Sequence, residues 1–201
     1  MINIYNQDCM EAMKEMSENQ FDLAIVDPPF GIGNFVQTNK GQKVDWNDET
    51  PTDVYFKELK RVSKNRIIFG ANYYNCFEKN GGAIVWIKNQ PMPNFSKCVI
   101  ASCSYHKIIE LYKQTWTNFV AKGRQGIHPC EMPVSIYEWI LINYCKDGDK
   151  ILDTHLGSGS IAIACHNLGY DLTGYEIEKE YFEAAKTRID NHTRQLKIQD
   201  L

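Results

Sequence analysis

The sequence predicts an α/β fold, a doubly wound, Rossmann-like sheet. Three observations carry that prediction. Short apolar runs alternate with stretches of helical period along the chain. A glycine loop, "HLGSGS", sits between a strand pattern and a helix pattern. The 201 residues, 43% of them apolar, suit one domain with a real core.

The elements follow in order. "INIY" and "FDLAIVD" read as short buried strands with "DCMEAMKEMS" between them as a helix. "PTDVYFKELKRVS" is amphipathic, and "RIIFG" is the next strand. Gly81 and Gly82 punctuate before the strand-like "AIVWIK", and "KIIELYK" follows. "PVSIYEWILINYC" has a helical period with Pro133 at its first turn. Strand "KILDT", the glycine loop, helix "IAIACHNLG", strand "DLTGYE" and helix "EKEYFEAAKTRIDNH" complete the chain. Residues 31–53, 88–97 and 113–130 read as loops, and long structureless loops in a compact domain are usually functional or disordered.

Composition limits the classes of function. No run of eighteen apolar residues and no basic-then-apolar N-terminal segment is present, which predicts a soluble, cytoplasmic protein without a membrane partner. Seven scattered cysteines without a C-x-x-C pair predict free thiols and no metal site. The net charge of −3 is unevenly spread. Residues 57–124 carry twelve Lys/Arg against three Asp/Glu, and the other 133 residues carry ten against twenty-two. Such asymmetry points to one face built for a polyanion; the plainer alternative is a solvated helix surface at "KELKRVSKNR". Lys88, Lys122 and Arg124, in loops of the basic zone, are candidate phosphate contacts.

Two motifs carry chemistry. Gly157-x-Gly159-x-x-Ala162 opens a helix after a strand, and Glu176 ends the next strand nineteen residues after Gly157. Glycines let backbone amides approach a nucleotide, and an acid at the second strand tip takes ribose hydroxyls. NAD, FAD and S-adenosylmethionine all fit that geometry. Asp153, at the end of the preceding strand, falls in the ligand crevice of such a sheet.

The second motif is Asp27-Pro28-Pro29-Phe30, driven into directly by the apolar run "LAIV". Two prolines fix two φ angles and push the residue before each toward extended backbone. The bend holds one carboxylate and one ring in fixed relation. At a strand's carboxyl end, Asp27 and the Pro28 carbonyl could accept both N–H bonds of an exocyclic base amine. Phe30 would stack on the base once it has left its helix.

With those residues in view, the chain resembles the S-adenosylmethionine-dependent amino-methyltransferases of DNA, in the permuted (beta) class whose Asp-Pro-Pro-aromatic half comes first. The blocks "NQDCMEAM…FDLAIVDPPFG", "HPCEMPVSIYEWIL" and "ILDTHLGSGSIAIACHNLGYDLTGYEIEKEYFEAAKTRI" match in that order. The resemblance implies a circularly permuted strand order and a single methyltransferase domain over 1–201. Within it, residues 1–87 would be the catalytic half, 88–127 a small target-recognition region, and 128–192 the cofactor half. It implies that Asp27, Pro28, Pro29 and Phe30 are catalytic. It assigns Asp153, Gly157, Ser158, Gly159 and Ser160 to the loop holding the methionine moiety and Glu176 to the ribose, with Leu156 and Ile177 as further cofactor contacts. Asp8 and Cys9 fall where the family contacts the cofactor's adenine, and His128 and Pro133 in the segment closing over its methionine end. Thr154-His155 stands where the family usually has Pro-Phe, and Met132 where Lys is common.

The implied cofactor is S-adenosyl-L-methionine, and the implied partner is double-stranded DNA in a restriction-modification setting. In family terms an initial Asp favours adenine N6 over cytosine N4. RNA as substrate, a non-catalytic nucleic-acid binder and a dinucleotide oxidoreductase are the alternatives, and the last leaves the Asp27–Phe30 bend unexplained. A homodimer would fit the small recognition region, though nothing in the residues demands one.

Overall fold

The computed structural model describes residues 1–33, 48–89, 96–114 and 127–199, the last with side chains through 194. Eight strands form one sheet: β1 (Ile2–Asn6), β2 (Phe21–Val26), β3 (Ser63–Phe69), β4 (Gly82–Ile87), β5 (Cys98–Cys103), β6 (Ile109–Lys113), β7 (Lys150–Asp153) and β8 (Asp171–Glu176). The helices among the described residues are α1 (Cys9–Lys14), α2 (Asp53–Val62), α3 (Val134–Tyr144), α4 (Ser160–Leu168) and α5 (Lys179–Gln199). In space the strands run β1-β8-β7-β2-β3-β5-β4-β6.

The last two strands of the chain thus stand between its first two. Counted from β7, the sheet begins 3-2-1-4-5, the doubly wound order, so the permuted order is present in the topology. The order reverses between β7 and β2, which pair in parallel through Leu23↔Ile151 and Ala24↔Leu152. The carboxyl ends of these two strands therefore flank the crevice where ligands of such sheets bind. Asp27 follows one strand, and Asp153 ends the other.

Period-2 alternation sends the two sides of β2 into two cores. Leu23 and Ile25 join Ile67, Phe69, Ile84 and Trp86 beneath α3 and α4. Ala24 and Val26 join Ile68 and Leu152 beneath Met13 of α1 and Leu59 and Val62 of α2. Burial on both faces explains why "LAIV" is a continuous apolar run.

Strand β5 departs from the sequence reading, which placed no element at residues 98–103. "CVIASC" is short and half small residues, so its own pattern is weak. Its state is set by neighbours: it pairs antiparallel with β4 from Ile87↔Cys98 to Gly82↔Cys103 and with β3 from Phe69↔Ala101 to Ile67↔Cys103. Strand β3 also begins at Ser63, three residues before "RIIFG", directly where α2 stops. Pro133 is the residue capping α3, one position before its first turn. All seven cysteines are free thiols. Among the described residues no helix is long and apolar enough to cross a membrane, and no cluster of His, Cys, Asp or Glu is placed to hold a metal.

Candidate active site

Strand β7 delivers Asp153, buried at the crevice floor. Its Oδ1 accepts from the His155 amide at 3.0 Å, which starts the turn into the glycine loop. Gly157 and Gly159 both have positive φ. At Gly159 (φ +73) a side chain would also press on Ile189, its Cβ only 3.0 Å from that residue's Cδ1. Glycine there lets α5 lie against the loop while α4 starts at Ser160.

Side chains then lock the loop. Glu176, at the end of β8, accepts from the Gly157 amide at 2.8 Å and from the Glu178 amide at 3.0 Å. Arg188 of α5 donates to the Ser158 carbonyl at 2.9 Å and to the Ser160 hydroxyl at 3.0 Å. The Ser160 hydroxyl donates to the Met132 carbonyl at 2.7 Å. Arg188 also pairs with Glu131 at 3.0 Å, and both side chains are largely buried. The segment 128–133 is thereby tied to the loop it faces, and the His128 ring stands 3.5 Å from where a Cβ on Gly157 would be. His128 Nδ1 accepts from the Cys130 amide at 3.2 Å. Burial lowers the imidazole to about 4, so the ring is neutral at ordinary pH.

The Asp-Pro-Pro-Phe bend forms the opposite wall. Asp27 keeps a little surface at the cleft, yet its Oδ1 is covered and accepts no hydrogen bond. Burial raises its carboxyl to about 7, with Lys88 acting the other way. The Pro28 carbonyl accepts from the Tyr74 hydroxyl at 2.5 Å. The Phe30 ring lies stacked on Tyr73.

One cleft is lined by Asp27, Pro28, Pro29, Phe30, His128, Leu156, Gly157 and Ser158, all of them residues that the sequence singles out. Cys130, Met132, Tyr137 and His155 line it too. Thr154 and His155 form a polar chain: the Tyr55 hydroxyl is 2.7 Å from Thr154 Oγ1, which is 2.9 Å from His155 Nδ1. Burial lowers His155 to about 4, so it is a neutral polar ring.

The remaining expected residues lie around the cleft. Asp8 follows β1 and caps α1, with Oδ1 accepting from the Met10 amide at 2.7 Å. Cys9 is buried and its thiol is pushed up to about 12, which leaves it chemically quiet. Asn6 Nδ2 donates to the Glu176 and Ile177 carbonyls at 2.8 and 2.9 Å and joins the ends of β1 and β8. The Ile177 side chain is 61% exposed there. Pro133, Gly159 and Ser160 hold the fold of the loop and of the segment over it. Lys88, at the carboxyl end of β4, sits 5.3 Å from the Trp86 ring centre. Burial lowers its ammonium, and Asp27 pulls it back up. Lys88 thus stands on the Asp27 side of the crevice. Lys122 and Arg124 lie outside the described residues.

Electrostatics say what the crevice lacks. Asp153 is raised to about 8, first by burial and then by the charges of Asp27 and Glu176. Glu176 is raised as well, chiefly by burial. Asp27 and Glu176 thus both disfavour the ionisation of Asp153 between them, and Asp27 brings an unpartnered oxygen. A cationic ligand with nucleoside hydroxyls fits such a donor set.

These features define a doubly wound, permuted α/β core in which a covered, unpartnered carboxylate oxygen faces a glycine loop. A family model described as a DNA methylase matches residues 102–187. Type II methyltransferase M.HpaI of Haemophilus parainfluenzae is 24% identical over 92% of this chain and 73% of its own length. M2.MboI of Moraxella bovis is 26% identical over 97% and 90%. Among solved structures, the M1.HpyAVI–SAM complex shares the fold with a TM-score of 0.65 at 22% identity, covering 94% of this chain and all of that one. The cytosine-N4-specific PvuII DNA methyltransferase gives 0.64 at 13% identity, covering 96% and 90%. Over nearly its whole length the chain is thus similar to type II DNA methyltransferases, and it shares the fold of an S-adenosylmethionine-bound one.

Proposed function

We propose that the protein methylates an exocyclic amine of a base in double-stranded DNA, most favourably adenine N6, with the base swung out of the helix into the Asp27–Phe30 wall. The observation that carries this reading is Asp27 Oδ1, a covered acceptor without a partner, at a strand end that faces a nucleotide loop. Such an atom is costly unless a ligand supplies a donor.

S-adenosylmethionine, when bound, supplies an electrophilic methyl on a sulfonium. Gly157, Ser158 and the His128–Pro133 segment would enclose its methionine end, with Asp153 beneath. Glu176 would take the ribose, and Asp8, Cys9 and Ile177 would border the adenine. The carboxylates would favour a positive ligand and lose their mutual repulsion against it.

Asp27 and the Pro28 carbonyl then receive the two N–H bonds of the target amine. An aromatic amine is a poor nucleophile because its lone pair is spread into the ring. Two acceptors draw its nitrogen toward tetrahedral geometry and aim the lone pair at the methyl. The amine nitrogen would gain the methyl as the methyl–sulfur bond breaks with its electron pair left on sulfur, and Asp27 would receive the proton that leaves the nitrogen. The acceptors act where charge develops, and the prolines hold them in register. Phe30 contributes a stacking face.

Residues 1–87 would form the catalytic half, 128–192 the cofactor half and 88–127 the target-reading part. A homodimer would enlarge so short a reading surface; a lone monomer on DNA in sedimentation would refute that. Lys88, Lys122 and Arg124 would hold phosphates, and charge reversal at all three should reduce the salt dependence of DNA binding.

The test is methyl-labelled S-adenosylmethionine with unmethylated DNA, digested to nucleosides, with Asp27→Ala alongside. Label on N6-methyladenine, lost in the variant, is the expected result. Label on N4-methylcytosine would keep the chemistry and overturn the base. No label from the wild-type protein would overturn the reading.

A further inference from the structure

The turn that follows β3 meets the Asp27–Phe30 bend at both Pro28 and Phe30. Because β3 and β2 are parallel neighbours, Gly70–Tyr74 opens at the same sheet edge as Asp27. The Tyr73 amide donates to the Gly70 carbonyl at 2.8 Å and closes the turn. Gly70 has φ +74, and a Cβ there would collide with the Phe30 ring. Glycine therefore lets Phe30 lie directly against the turn.

From this turn two adjacent tyrosines diverge. Tyr74 points inward, buried, with its ring 5.4 Å from that of Phe56 and its hydroxyl on the Pro28 carbonyl. Tyr73 points outward, 40% exposed, and lays its ring on Phe30 with centroids 4.9 Å apart and planes 11° from parallel.

We infer that Tyr73 is the second aromatic plate of the target-base site, gripping the base against Phe30, and that Tyr74 is a positioning residue that fixes the Pro28 carbonyl. This rests on the methyl-transfer reading above. An aromatic ring that only filled the core would be covered. A partly exposed ring, parallel to the ring that lines the cleft and is expected to stack on the base, has the geometry that receives a planar heterocycle. Without a base the two plates close on each other and shield their faces from water. At 4.9 Å they leave no room for a third ring, so one of them must give way. Phe30 is anchored by two prolines and Gly70, whereas Tyr73 sits half exposed on a short turn and is the one to move. Stacking on both faces grips any base alike and leaves the choice of amine to the edge contacts of Asp27 and Pro28. A carbonyl oxygen has two lone pairs. Tyr74 uses one and aims the other at the incoming N–H.

The test measures label transfer to unmethylated DNA and, separately, cofactor affinity, for the wild-type protein, Tyr73→Ala, Tyr73→Phe and Tyr74→Phe. Tyr73→Ala should lower kcat/KM for DNA about tenfold, through KM, with cofactor affinity within about twofold. Tyr73→Phe should rescue it, because stacking needs no hydroxyl. Tyr74→Phe should lower kcat with little change in KM. Wild-type kcat/KM in Tyr73→Ala would overturn the inference, as would a gain, which would mean that Tyr73 competes with the base. A matching loss of cofactor affinity would overturn it too, since the defect would then be general. Absence of label from the wild-type protein would bring down the methyl-transfer reading and this one together, whereas wild-type label with an indifferent Tyr73 would bring down only this one.

Discussion

Around the glycine loop, the polar groups of the crevice hold one another, whereas across from it Asp27 Oδ1 is held by nothing. On the loop side, Glu176 accepts from Gly157, Asp153 from His155, and Arg188 ties Ser158, Ser160 and Glu131 together. On the Asp27 side, a covered oxygen lacks a donor and Phe30 leans on a ring that is itself exposed. The loop side is shaped before a ligand arrives, so little must be reorganised on binding. The other side keeps an acceptor open, as the proposed transfer to a transiently bound amine requires. An unmet buried acceptor costs about 1–3 kcal/mol, and that cost falls where transient contact with substrate can offset it.

The comparison breaks most sharply at Asp27. Replacing it with alanine should cut kcat about 1000-fold, the scale of losing a preorganised partner of the reacting group. Cofactor affinity should stay within a few-fold, since the loop side is untouched. Single-turnover transfer and a separate binding titration measure the two. A comparable fall in both would mean that the crevice is one cooperative unit, and the contrast between its sides would be lost.

The loop side should fail differently. Arg188→Met leaves Glu131 buried without its partner, which should cost about 3 kcal/mol of stability. Denaturant midpoints measure this, and Glu131→Gln combined with Arg188→Met should cost much less than the sum of the two. Additive losses would mean that the pair does not couple the 128–133 segment to the loop. Glu176→Ala should weaken cofactor binding by about ten- to a hundred-fold through lost charge-assisted hydrogen bonds, with kcat at saturating cofactor largely kept. Unchanged affinity would place the ribose acid elsewhere.

The loop side was also the more legible in the sequence. A glycine spacing and an acid at a fixed distance are local signals, and Gly157, Ser158 and Glu176 lie where that spacing puts them. The Asp27 bend was legible because prolines punctuate it. What it leans on was not: Tyr73 and Tyr74 reach Phe30 and Pro28 across 43 and 46 residues of chain, and only pairing of β3 with β2 brings them there. A faint signal existed in "FGANYYN", two aromatics just past a strand-ending glycine. Arg188 reads as one more charge on a polar helix until α5 folds back over the loop. Strand β5 was missed for the same reason, since ladders on both sides, not its own residues, make it a strand.

The smallest effect is a pH dependence that the two sides share. Burial raises Asp27 to about 7 and Asp153 to about 8 from an ordinary 3.8. The folded protein then holds protons that the unfolded chain has released, so stability from these groups is full below about pH 4 and is lost as pH rises through 7 and 8. His128 and His155 act oppositely: burial lowers both from 6.5 to about 4, so their contribution is full above 6.5 and is lost as pH falls through 4. Between about pH 4 and 6.5 the two pairs oppose each other and stability should change little. Between 6.5 and 8 the histidines are neutral in both states, only the carboxylates titrate, and stability of the cofactor-free protein should fall. Thermal denaturation at fixed ionic strength measures the curve. Asp27→Asn should flatten its lower part near pH 7, and saturating S-adenosylmethionine should remove the fall by favouring the ionised carboxylates. Stability rising from pH 6.5 to 8 without cofactor would mean that the crevice carboxylates are already paired, and that its two sides do not differ as described.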